Sequence, residues 1–88
     1  MPGSDKPIRL SNHARDQMTY RGTSESEIFQ TIRDSAWEPA ELGRLQCRKD
    51  FVYNQVWNGK PYKTKQVKPV FIDEPGAIVI ITAYVYYF

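Results

Sequence analysis

The sequence predicts an α+β fold, with two N-terminal helices packed on one face of a three- to four-stranded, mainly antiparallel sheet. Three observations predict it. Up to Ala36, apolar side chains recur every three or four positions between recognisable helix caps. From about Ala40 the pattern changes to alternation, the period of a strand with one buried face. Two turn signals, Asn58-Gly59 and Asp73-Glu74-Pro75-Gly76, then divide the alternating part.

A chain of 88 residues makes one domain, near the small end for independent folding. Six Tyr, four Phe and two Trp predict a small core rich in rings, with Trp37 and Trp57 as anchors. Residues 1–8, which include Pro2, Gly3 and Pro7, read as a disordered lead-in, and 9–88 as the domain. The first helix runs between Ser11, a good N-cap, and Gly22, which takes the left-handed conformation at a helix end without a Cβ clash. Leu10, Ala14 and Met18 make its apolar stripe. His13, Gln17 and Arg21 make the neighbouring one, with Tyr20 beside them. An imidazole, an amide and a guanidinium on one face suit chemistry on an anion, and equally suit a solvated face.

A capping box, Ser24 to Glu27, opens the second helix. Ile28, Phe29, Ile32 and Ala36 form its expected buried face. Glu25 and Glu27 at its start and Arg33 at its end complement the helix dipole. Its acidic N-terminus is wrong for a helix that enters a DNA groove. Beyond Pro39, Leu45, Cys47 and Lys49, then Phe51, Tyr53, Gln55 and Trp57, alternate with their neighbours up to the Asn58-Gly59 hairpin. A third strand follows from about Tyr62 to Asp73, where Pro69 points to an edge or a bulge. The last strand, Ala77–Phe88, reads as central. Ile78, Ile80, Thr82, Tyr84 and Tyr86 are expected on one side of it, and Val79, Ile81, Ala83 and Val85 on the other.

The net charge of +2 is uneven: residues 1–43 carry five Lys/Arg against seven Asp/Glu, and residues 44–88 seven against three. The strand-rich half is basic, as a polyanion-binding surface is, and as soluble sheet edges are. A single cysteine, Cys47, excludes an internal disulfide and a Cys/His zinc cluster. It reads as an inert strand thiol, and it fits a reducing cytoplasm. The N-terminus lacks the apolar stretch of a signal peptide, and Ala77–Phe88 has about half the length of a membrane-spanning helix. No association with a membrane is expected.

His13-Ala14, Met18, Arg21-Gly22 and Ser24-Glu25-Ser26-Glu27-Ile28, with the closing Ile80-Ile81-Thr82-Ala83-Tyr84, resemble the pattern of a widespread family of small bacterial proteins classed as a domain of unknown function. The resemblance covers most of residues 10–86. Thr23 departs from it, standing where the family has an apolar residue. That family resembles in turn the metal-independent ribonuclease toxins of the barnase, colicin E and RelE type, in which a helical N-terminus packs on an antiparallel sheet.

The resemblance implies a RelE-like fold and a cytoplasmic, metal-independent ribonuclease of the toxin–antitoxin kind. It would need no cofactor. Its partners would be RNA or the ribosome and an antitoxin protein. Cutting RNA without metal takes a base, an acid and cations on the phosphate. His13 is the candidate base or acid, Arg21 the phosphate clamp, Lys65 a further cation and Tyr84 a hydroxyl donor. Gln17, Lys63, Lys68, Thr82 and Tyr86 are the candidate substrate contacts. Each has a plainer reading. His13 is then a capping residue, and Arg21 a partner of Glu25 or Glu27. The lysines are edge-strand charges, and Thr82, Tyr84 and Tyr86 are sheet residues. Two other functions compete: a non-catalytic module that binds RNA or protein, and a structural protein that forms a homodimer through its C-terminal strand.

Overall fold

A computed structural model of the chain describes residues 6–88. It is α+β: two helices cover one face of a six-stranded mixed sheet. The chain runs β1 (Ile8–Leu10), α1 (Asn12–Arg21), α2 (Glu25–Asp34), β2 (Glu38–Pro39), β3 (Leu45–Gln46), β4 (Lys49–Trp57), β5 (Lys60–Glu74) and β6 (Ala77–Tyr87). The strand order is β1-β6-β5-β3-β2, and β4 lies alongside β5 beyond β3. The expected strand count was too low. One expected strand divides into β3 and β4, and the short β1 and β2 add to the edges.

Part of the expected lead-in belongs to the fold. Residues 1–5 lie outside the described residues. Ile8, Arg9 and Leu10 pair in parallel with Ile78, Val79 and Ile80. The Ile78 amide donates to the Pro7 carbonyl at 2.9 Å, and Lys6 pairs with Asp73. Leu10 is therefore the end of a strand and not the first rung of the helical stripe.

The caps fall where the side chains require. The Ser11 hydroxyl accepts from the Ala14 amide at 3.0 Å, and Gly22 closes α1 with φ 77°. In α2, Ser24 and Glu27 form the reciprocal capping box. That helix buries Ile28, Thr31 and Ile32, while Phe29 is half-buried. Ala36 lies past the end of the helix and is exposed, so it takes no part in the buried face.

The core lies between the helices and the sheet: Ala14, Ile28 and Ile32 meet Val67, Phe71, Ile78, Ile80 and Ala83. Trp37 stands edge-on to Phe71 with centroids 5.0 Å apart, and its indole N–H donates to the Ile32 carbonyl at 2.9 Å. Cys47 is buried, donating to the Thr31 carbonyl at 3.6 Å. Burial, with the Glu38 carboxylate nearby, pushes its thiol up to about 12, which keeps it unreactive.

Two irregularities decide which residues face outward. Pro69 lies in β5, an interior strand and not an edge. Its partner Ala83 turns its own amide and carbonyl toward α1. The missing Pro69 N–H therefore falls opposite the break between β3 and β4, where no ladder donor is needed. In β6 the register shifts, with Val70 opposite Thr82 and Phe71 opposite Ile80, so Ile81 is an extra residue. The shift splits the side expected to carry Ile78, Ile80, Thr82, Tyr84 and Tyr86 together. Ile78 and Ile80 join Ala83 on the helix face, and Thr82, Tyr84 and Tyr86 occupy the open face. Among the described residues no helix is long and apolar enough to cross a membrane.

Candidate functional site

The open face of β5 and β6 carries Lys68 opposite Tyr84, Gln66 opposite Tyr86, and Val70 opposite Thr82. Chain 39–44 rises beside these strands and walls a groove of about 600 Å³. Glu41 and Arg44 from that wall, Gln46 from β3, and Lys68, Tyr84 and Tyr86 from the floor bring a carboxylate, two cations, an amide and two phenols to it. Leu42 in the wall holds φ 60°, which no β-carbon favours, and it is exposed.

Arg21 reaches this face from the other side of β6. Its guanidinium donates to the Ala83 carbonyl at 2.8 Å and lies over the Tyr84 ring, 5.0 Å from the centroid. The Lys68 ammonium is 5.4 Å from the Tyr84 centroid and 5.8 Å from that of Tyr86. Two cations from different elements thus converge on one exposed phenol, a geometry favourable for cation–π contact and one that places positive charge around the ring for an anion to meet.

The same bonds explain why α1 carries its polar stripe. Beyond β1, among the described residues, no strand pairs with the outer edge of β6 over residues 81–83, and α1 fills the place with side chains. The Ser11 hydroxyl donates to the Ile81 carbonyl at 3.1 Å. Gln17 Oε1 accepts from the Ala83 amide at 3.1 Å and from the Thr82 hydroxyl. Arg21 takes the Ala83 carbonyl. Arg21 does not pair with Glu25 or Glu27; Glu25 instead meets Arg15 at 3.2 Å.

Other expected residues go elsewhere. His13 is exposed on α1, two turns before Arg21 on the same stripe, and does not line the groove. Lys65 lies on the opposite face of β5 from Lys68 and is buried. Its ammonium pairs with Glu27 at 2.9 Å and donates to the Gly22 carbonyl at 3.0 Å, so its charge is spent in closing α1. Lys63 is exposed near the β4–β5 hairpin, beside Val56 and Tyr62 and away from the groove. Glu41, Arg44 and Gln46 were not singled out from the sequence. The signal for Arg44 and Gln46 was their alternation with Leu45 and Cys47, which sets them on one face; Glu41, before the strand, had no such signal.

Next to Lys65, the Tyr87 hydroxyl donates to the Arg21 carbonyl at 2.6 Å, and its ring stacks on Trp57 at 4.9 Å. Burial, helped by Tyr53 and Glu27, pushes the Tyr87 phenol up to about 12, so it stays a donor to the helix end.

Among the described residues no three His, Cys, Asp or Glu side chains gather as a metal-binding group. No family model matches the chain, and neither the curated proteins nor the solved structures contain a match.

Proposed function

We propose that this protein is a ribonuclease of the toxin type, which holds RNA across the open sheet face and cuts it with its own side chains. The observation that carries this reading is the convergence of Arg21 and Lys68 on Tyr84 at the groove. Support also comes from the α+β layout with one uncovered sheet face, the arrangement implied by the resemblance to RelE-like toxins.

On this reading the RNA 2′-oxygen forms a bond to the adjacent phosphorus while the bond to the 5′-oxygen breaks. Glu41 takes the proton from the 2′-hydroxyl. The Tyr84 hydroxyl gives one to the departing 5′-oxygen. Arg21, Arg44 and Lys68 stabilise the charge gathering on the phosphate oxygens. Gln17 and Thr82 act by holding the β6 edge and α1 together, which fixes the place from which Arg21 reaches the site.

The test is RNA cleavage in chelator by the wild type and by Glu41→Gln, Lys68→Gln and His13→Ala, each checked for folding by circular dichroism. We expect losses of at least about a hundredfold for Glu41→Gln and Lys68→Gln, and little change for His13→Ala. Loss confined to His13→Ala would move the base to α1. A wild type that cleaves neither free nor ribosome-bound RNA would overturn the ribonuclease reading. The place of His13 outside the groove favours one second reading, a module that binds RNA on this face without cutting it.

A further inference from the structure

We infer that the open face of β6 takes RNA as an extended single strand, with consecutive bases seated on Tyr86 and Phe88. This inference rests on the proposed function and adds the substrate's form and its direction across the sheet.

Phe88 continues the strand past Tyr87. Its amide and carbonyl exchange hydrogen bonds with Thr64 at 3.0 and 2.7 Å. That pairing sets Phe88 on the same face as Tyr86 and Tyr84, since Thr64, Gln66 and Lys68 alternate along β5. The rings grow more accessible along the row: Tyr84 is 39 % exposed, Tyr86 44 % and Phe88 57 %. They also differ in their neighbours. Tyr84 has a cation from each side and Tyr86 has Lys68, whereas among the described residues no cation stands over Phe88. Tyr84 is thereby committed to the phosphate, while Tyr86 and Phe88 keep ring faces for bases.

Alternate residues of a strand lie about 6.8 Å apart. Bases stacked in a duplex lie roughly 3.4 Å apart along each strand, so this row cannot match them. It matches bases pulled apart, one to each ring, as aromatic platforms for single strands hold them. The acid beside this row is Asp50, across β5 from Tyr86, and its carboxylate accepts from the Gln66 side chain at 2.8 Å. The layout runs from a phosphate grip at Arg21, Lys68 and Tyr84 to stacking positions further along β6.

The probe is labelled 2′-O-methyl hexauridylate, which lacks the hydroxyl needed for its own cleavage, followed by fluorescence anisotropy. A short blunt RNA duplex serves as competitor. Tyr86→Leu and Phe88→Leu keep apolar bulk and remove the ring at exposed positions. Each is expected to weaken binding about tenfold, and the duplex to compete poorly. If both variants bind like the wild type while Lys68→Gln binds weakly, the stacking row is wrong and RNA still lies on the open face. If the wild type does not bind the hexamer, this inference falls, and the cleavage assay decides the proposed function separately.

Discussion

At the scale of single residues, Gly22 has the tightest requirement among the described glycines. It sits at φ 77°, and a Cβ there would lie 2.5 Å from the Tyr87 hydroxyl and 2.6 Å from the Trp57 ring. Neither neighbour can yield easily. Tyr87 is bonded to the Arg21 carbonyl, and the two rings stack on each other. Gly43 supplies the control, with φ 73° and nothing within 4 Å of a built Cβ. Gly43→Ala should cost only the backbone term for an L-residue in the left-handed region, about 1 kcal/mol. Gly22→Ala adds overpacking to that, for a total of about 2–4 kcal/mol. Urea denaturation of the two variants measures the difference, and equal midpoints would show that the aromatic wall moves freely. The glycine at the end of α1 was legible in the sequence as a helix stop. The wall that makes it irreplaceable was not, because Trp57 and Tyr87 lie far from it along the chain.

At the scale of elements, α1 does the work of an edge strand with side chains. Its caps and length could be read locally, since Ser11 and Gly22 act on their own neighbours. Its polar stripe could be found but not interpreted. His13, Gln17 and Arg21 are equivalent in spacing, yet only the latter two reach the backbone of β6. The β6 bulge at Ile81 was equally hidden, because an unbroken apolar run gives no sign of where alternation slips. That slip is what sends Tyr84 and Tyr86 to the open face while Ile78 and Ile80 stay in the core. Gln17→Ala tests the role of α1. It removes the acceptor for the Ala83 amide and the Thr82 hydroxyl, at a net cost of about 1–2 kcal/mol, offset by a few tenths from the better helix propensity of alanine. Amide exchange should quicken at Ala83 and stay slow at Ile78, whose donor bond to Pro7 is untouched. Unchanged exchange at Ala83 would mean that another group covers this edge.

At the scale of the whole molecule, the uneven charge of the sequence becomes a difference between faces. Lys65 is consumed on the helix side by Glu27, and Lys63 stays out at the hairpin, while Lys68 and Arg44 join the open-face groove. Arg21 adds a third cation from the acidic half of the chain, so the count by halves misjudged where the positive field lies. Three cations gripping a single strand give a definite salt dependence. Each phosphate neutralised contributes about −0.7 to the slope of log affinity against log salt, so the wild type should show a slope of about −2. Binding of the 2′-O-methyl hexamer should then weaken about twentyfold between 50 and 200 mM salt. Lys68→Gln should shallow the slope by about 0.7, and Lys65→Met, once shown to be folded, should leave it unchanged because that charge faces Glu27 and not the groove. A slope near zero would mean that phosphates are not what Arg21 and Lys68 hold. An equal effect from Lys65→Met would place the RNA on both faces of β5, which one strand of RNA on the open face cannot do.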